Sequence, residues 1–514
     1  MAFRHYNQKQ LVLFPHTFDD LISSDHPVRI VNDVIDKINI SKLLNVYRKE
    51  GNPSYHPLLM LKVMIFAYME NIYSSRKIEK AMRENVLFMW LSNMNIADHN
   101  TIARFRSQKL QLAFKDIFTQ VILLLAEEGL ITLKQVYTDG TKIEAQANRY
   151  TFVWGKSIKT NKEKMLKQLE ELWTYAQSIA SDDDKDPEPP EFKEISQEKI
   201  RQTVDNINQK LSGKTTSDKG KTKAKGKLNY IKNNFEKNLE KYQEQEKILK
   251  DRGSYSKTDS DATFMRMKDD HMMNGQLKPA YNAQISTENQ FILNYTIHQT
   301  TNDTTTLASH LENFKESYGE EIFSGIETLT ADAGYGSEEN YELLEELEIE
   351  AFVKYNTFDK EQDRHYQNKH KTFSKEHLHY NSEKDFYVCP MGQKMEKTYE
   401  STTKTKNGFE QKLSHYRAKN CVGCPLRSVC HKSKENRVVE RNHNLERHKE
   451  LAKKRLKSEE GVEKRKKRCY DVEPVFAHLK HNHHFKRFML KSLPKVEIEF
   501  GLHALAHNLR KKVA

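Results

Sequence analysis

Three acidic residues stand out by the company they keep. Asp332 lies in LTADAGYG, Leu329 to Gly336, where an apolar run ends in a lone aspartate followed by two glycines and a tyrosine. Asp139 lies in LKQVYTDGTKIEAQ, which reads as a strand, a tight Asp-Gly turn and a second extended piece. A strand that carries a carboxylate to its tip and then turns can place a ligand for a hard cation; the same residues also suit an ordinary turn. Adjacent strands ending at one sheet edge would bring the two carboxylates together. Glu473, in YDVEPVFAHLKHNHHFKRF, is the candidate third acid. Pro474 after it suits a first helical turn, and Lys480, about two turns on, is expected on the same face. Three such acids can hold two Mg²⁺ ions about 3.5–4 Å apart for in-line attack on a phosphodiester, with a lysine on the phosphate. The plain alternative is a surface ion pair too far apart to matter.

Four of the five cysteines are grouped: Cys389 in CPMG, and Cys421, Cys424 and Cys430 in CVGCPLRSVC. Four thiolates make a closed tetrahedral zinc site, and in a reducing compartment metal is favoured over disulfide. His431 could replace Cys430, and reduced, non-ligating thiols are the alternative. Cys469 stands apart as a plain core or helix residue.

These residues need elements to position them. A chain of 514 residues implies two or three domains. With 37% hydrophobic and 30% charged residues it reads as a soluble protein with extended segments. No run approaches a membrane span and the N-terminus lacks a signal-sequence pattern, so the expected location is cytoplasmic. The net charge of +12 favours a polyanionic partner. Residues 1–130 read as helical, with LLMLKVMIFAYM apolar nearly all round and buried. Arg76, Lys77, Lys80, Arg83, Arg104 and Arg106 lie on the polar sides of short helices. They fit a DNA-binding helix-turn-helix or, equally, the solvated face of a bundle.

From Leu133 the order strand, strand, strand, helix, strand, helix, strand predicts an α/β core with a mixed sheet, in two parts at 131–158 and 253–355. Between them, 159–252 reads as a charged helical hairpin, with GKTTSDKGKTKAKGK as the loop between two helices. Residues 356–441 form a cysteine-containing insertion, and 442–514 return as basic helices. KKRLKSEEGVEKRKKR, Lys453 to Arg468, holds nine basic residues against three acidic ones and is assigned to phosphate binding. His478, His481, His483 and His484 are read as polar or DNA-facing helix residues rather than a metal site.

The DGT at Asp139, the TADAGYG at Asp332 and the VEPVFAHLKHN holding Glu473 and Lys480 together resemble the bacterial insertion-sequence transposases of the DDE type, whose catalytic domain is RNase H-like. The stretch HPLLMLKVMIFAYMENIYSSRKIEKAMRENVLFMWLSN, with DHNTIARFR and the C-terminal FGLHALAHNLRK, is similar to the insertion-sequence eleven-eighty-two branch. The resemblance covers essentially the whole chain. It implies an RNase H-like mixed-sheet core with a helical N-terminal DNA-binding domain, a helical hairpin insertion and a zinc-ribbon-like insertion. It implies that Asp139, Asp332 and Glu473 bind two Mg²⁺ ions, replaceable by Mn²⁺, with Asp332 bridging both. It further implies that Lys480 contacts DNA near the scissile phosphate. Lys486 and Arg487, just beyond, are counted with Arg76, Lys77, Arg104 and Arg106 as DNA contacts. Double-stranded DNA and a second copy of the chain are the implied partners. Cut-and-paste transposition is the implied activity; a silent DNA-binding remnant acting as a repressor and a structure-selective nuclease are the alternatives. Related transposases place a tyrosine seven and an arginine four residues before the glutamate. Here those positions are Lys466 and Cys469, with Arg468 and Tyr470 adjacent.

Overall fold

The computed structural model describes residues 17–47, 53–179, 196–212, 218–267, 275–363 and 373–513. Strands β1 (Gln135–Glu144), β2 (Phe152–Trp154), β3 (Ser254–Ser256), β4 (Thr263–Arg266), β5 (Leu277–Glu288), β6 (Phe291–His298), β7 (Thr328–Ala331) and β8 (Glu350–Val353) come first in the chain. One mixed sheet runs β6–β5–β1–β7–β8, with β4 beside the start of β5. β5 is antiparallel to β1 and β6, whereas β7 is parallel to both β1 and β8.

β1 does not turn at Asp139-Gly140 as the local residues suggest. It runs straight through, with Asp139 opposite Ile285 and Gly140 opposite Gln284, because β5 supplies a continuous ladder along its far half. Glycine is needed there for space instead: a Cβ on Gly140 would collide with Gln284 Nε2 and stand 2.8 Å from Asp303 Oδ1.

The helix Pro57–Met69 is buried nearly all round, as its composition demands. It packs on the C-terminal helix Leu493–Val513, which also covers β6, so the N-terminal helices and the sheet share one continuous core. Asp98 caps the helix His99–Arg104 by accepting from Asn100 N and Thr101 N at 2.8 and 3.0 Å.

Among the described residues the expected helical hairpin holds three helices, Gly155–Ile179, Gln197–Ser212 and Asp218–Leu249, with their own apolar cluster around Trp173, Ile207 and Phe235. Pairing of β2 with β3 closes the unit at its base. The third helix begins inside the lysine-rich tract read as a loop, since helical continuity with the amphipathic segment after it outweighs local glycines. DDDKDPEPP lies outside the described residues.

The cysteine-containing region forms an antiparallel sheet of β9 (His379–Asn381), β10 (Phe386–Val388), β11 (Lys394–Lys404), β12 (Glu410–Ala418) and β13 (Val438–Arg441), ordered β13–β12–β11–β10–β9. Its β11–β12 hairpin leans on the helix Glu338–Glu346, where Asn407 Nδ2 and Gln411 Nε2 donate to Glu339 and Glu338 at 2.8 and 2.9 Å. No helix among the described residues is long and apolar enough to cross a membrane.

Buried histidines, His310 and His507 among them, tie this core to pH. His310 bridges Ser286 and Thr296 under the sheet, and His507 lies against the Gln290 carbonyl. Burial holds His310 down at about 3 and His507 at about 4. Below pH 6.5 only the unfolded chain protonates these groups, so their stabilisation is present above 6.5 and is lost as pH falls toward those values. Each is expected to cost up to about 1.4 kcal/mol per pH unit. Urea midpoints measured from pH 7 to 4.5 should fall accordingly, with a shallower acid limb for His310→Gln; equal pH dependence in the two proteins would refute the assignment to His310.

Candidate active site

β1 and β7 place the first two acids. Their parallel register ends at Thr138 opposite Ala331, so Asp139 and Asp332 follow at the same level of neighbouring strands. Alternation along the strands puts both on one face, with Tyr137, Thr328 and Thr330. Asp139 is buried, while the side chain of Asp332 is 40% exposed. Asp332 Oδ1 accepts from Gly334 N at 2.8 Å and so starts the short turn Ala333–Tyr335. A Cβ on Gly334 would stand 2.9 Å from Asp332 Oδ1, which is why that turn needs glycine.

The helix Glu459–Asp471 lies across this face. Lys464 Nζ donates to Thr328 Oγ1 at 3.0 Å, and Lys467 Nζ stands 5.6 Å from the Tyr137 ring centroid. Arg468 Nη2 lies 2.9 Å from Asp139 Oδ2 and 3.9 Å from Asp332 Oδ2. Asp471 accepts from Gln290 N at 3.0 Å, and burial pushes its carboxyl up. The spacing 464, 467, 468, 471 is one helix face, so part of the basic run assigned to DNA faces the sheet. Arg468, which the sequence placed beside the family's arginine position without giving it a role, is the cation that meets Asp139. The helical spacing of Lys464, Lys467 and Arg468 was the available signal, hidden because the run was read as one charged surface.

Glu473 begins the next short helix, Glu473–Ala477, and is exposed. Among the described residues no three His, Cys, Asp or Glu side chains are grouped closely enough to hold a metal ion. The chain therefore gathers Asp139 and Asp332 around Arg468 and leaves Glu473 outside that pair. Lys480 falls in a π-helical turn, His478–Asn482. The regular helix on which the same-face expectation for Glu473 and Lys480 rests is therefore interrupted between them by a wider turn. His483 is buried, with its ring 6.4 Å from those of His478 and His507.

The expected DNA contacts divide. Arg76, Lys77, Arg104 and Lys486 are exposed. Arg106 is buried, donating to Tyr68 OH at 3.0 Å and the Tyr73 carbonyl at 2.6 Å, so it braces the helical core. Arg487 donates to the Ala145 and Ala147 carbonyls, each at 3.1 Å, and fastens its segment to the end of β1.

Cys389, Cys421, Cys424 and Cys430 line one small cavity with His431 and Arg437. Gln393 N and Arg437 N donate to Cys389 and Cys421 sulfurs at 3.3 and 3.4 Å, and Arg437 Nη1 to Cys430 at 2.8 Å. Neither ring nitrogen of His431 has a partner among the described residues.

Residues 388–513 match a family model described as a transposase DDE domain, and residues 16–108 match one described as a transposase domain (DUF772). The first span contains Glu473, Lys480 and the cysteines; the second contains the exposed Arg76, Lys77 and Arg104. No curated protein and no solved structure matches the chain.

Proposed function

Because the chain belongs to the insertion-sequence transposases of the DDE type, we propose that it binds the ends of its element, cleaves them with Mg²⁺ and joins the freed 3′-hydroxyls to target DNA. The observation that carries this reading is the placement of Asp139 and Asp332 side by side on parallel strands, with a cation already held between them. Paired hard oxygen donors that attract a guanidinium suit divalent ions. Metal bound there would activate water and steady the leaving oxygen.

Asp139 is held rigidly by its ladder, Asp332 by its turn, and Arg468 neutralises the pair before metal arrives. Glu473 is the third acid of this reading, to be brought in by movement of its short helix when DNA binds. Lys480 and Lys486 are assigned to the DNA backbone. The strand order, with three antiparallel strands followed by two parallel to β1, supports an RNase H-like core. VEPVFAHLKHN and FGLHALAHNLRK support the eleven-eighty-two branch. A pair of chains acting on the two ends, in the cytoplasm on the nucleoid, completes the picture.

The test is strand cleavage and joining on duplexes carrying the element's ends, with Mg²⁺. Binding without cleavage in either Mg²⁺ or Mn²⁺ would leave a DNA-binding remnant; cutting without end preference or joining would leave a structure-selective nuclease. Arg76→Ala, Lys77→Ala and Arg104→Ala are each expected to reduce the slope of log affinity against log salt by about 0.9 per lost phosphate contact. Arg106→Ala should instead lower the melting temperature. Unchanged slopes in all three would remove the N-terminal helices from the DNA interface.

The four cysteines remain the candidate structural zinc ligands for their soft donors and shared cavity, although no three of them stand close enough together to hold an ion without closing around it. Metal analysis should find one zinc per chain, lost in Cys424→Ser together with thermal stability. Zinc-free wild type of equal stability would dismiss the assignment.

A further inference from the structure

We infer that Asp303 is a positioning residue for Asp332, acting from the opposite face of the sheet through a clamp on the Ala333–Tyr335 turn. The inference rests on the reading of Asp139 and Asp332 as the metal-binding pair. Asp139 is set by its pairing with β5, whereas the β1–β7 ladder ends at Thr138 and Ala331, one residue before Asp332. Backbone pairing with β1 therefore does not by itself fix where the Asp332 carboxylate stands; the turn after it must.

That turn is held from below. Thr304 Oγ1 donates to the Gly334 carbonyl at 2.7 Å. Asn340 Nδ2 donates to the Thr304 and Tyr335 carbonyls at 3.0 and 2.8 Å, joining the two segments a second time. The 302–305 segment is in turn anchored on β5: Asp303 Oδ1 accepts from Asn282 Nδ2 at 2.7 Å and Gln284 Nε2 at 2.9 Å. Gln284 uses its remaining oxygen to accept from the Tyr335 hydroxyl. Burial, followed by the nearby carboxylates, holds that hydroxyl well above its usual range, so it remains a donor.

The path therefore runs from β5 through Asp303 and Thr304 to Gly334, and so to Asp332. Asn282 and Gln284 share the face of Gly140, opposite that of the Asp139 side chain. The missing side chain at Gly140 leaves room for Gln284 and Asp303 against the β1 backbone. Asp303 thus acts through hydrogen bonds rather than on the reacting atoms. Partners of this kind are typically worth about 10–100-fold in metal affinity.

The test compares full-length wild type, Asp303→Ala, Asp303→Asn and Thr304→Val, without DNA. Mn²⁺ affinity is read by electron paramagnetic resonance, and turn mobility by hydrogen–deuterium exchange of residues 329–336 in metal-free protein. Asp303→Ala and Thr304→Val should each weaken Mn²⁺ binding about tenfold and speed exchange in that segment. Asp303→Asn keeps the acceptor for Asn282 and Gln284 and should stay within about threefold of wild type, a margin well below the effect of losing such a partner. If Asp303→Asn loses as much affinity as Asp303→Ala, the charge itself is required and the positioning role is overturned. Unchanged exchange and affinity in Asp303→Ala and Thr304→Val would overturn it too, with the metal reading intact. Wild type that binds no Mn²⁺ while the exchange pattern follows expectation would instead sink the metal reading and leave the clamp standing.

Discussion

Asp332→Ala is expected to lower strand cleavage and joining by at least about a thousandfold, roughly 4 kcal/mol of transition-state stabilisation, while binding of element ends persists. The site explains the size and the selectivity. Asp332 is the more exposed member of the acid pair, and it stands beyond the end of its strand. Its Oδ1 accepts a hydrogen bond from Gly334 N within its own turn. Removing the carboxylate would therefore take away the proposed metal ligand with little disturbance of the core. Cleavage assays and gel-shift binding on the same duplex, with circular dichroism to confirm folding, make the measurement. Retention of more than about a tenth of wild-type cleavage would mean that Asp332 does not hold metal, since losing such a ligand removes several kcal/mol.

Arg468→Ala is expected to destabilise the metal-free protein by about 3 kcal/mol, the scale for removing one partner of a buried ion pair. Arg468 and Asp139 have side chains only 12% and 11% exposed, so solvent screens little of the contact. Without the guanidinium, Asp139 and Asp332 face each other with no shared cation. Mg²⁺ can take that place, so it should raise the melting temperature of the variant more than that of wild type. Thermal melts with and without Mg²⁺ measure both effects. A variant as stable as wild type, with the same response to Mg²⁺, would show that Arg468 is not the cation neutralising the pair. On the proposed reading, metal would enter the intact protein by replacing one cation with another, which avoids exposing two bare carboxylates in a half-buried site.

Much of this site could be read from residue order because it depends on local pattern. Apolar residues before Asp332 and the uninterrupted hydrophobicity of PLLMLKVMIFAYM report strand and buried helix within a few residues of themselves. The choice of candidate acids and the order of the core elements follow from such patterns. Which partner each residue meets does not. Arg468 reaches Asp139 from 329 positions away, and only because the helix Glu459–Asp471 docks across β7 and β1. The ladder from β5 straightens an Asp-Gly pair that locally reads as a turn, and docking against Tyr68 buries an arginine that locally reads as surface. Sequence by itself determined the chemical types, their periodicity and the family; the tertiary structure decided which cation sits on the acids, which acid stays outside, and what holds Asp332 in place. The physical reason is that side-chain period is encoded over a single turn or strand, whereas charge pairing and burial are settled only when distant elements exclude water from between them.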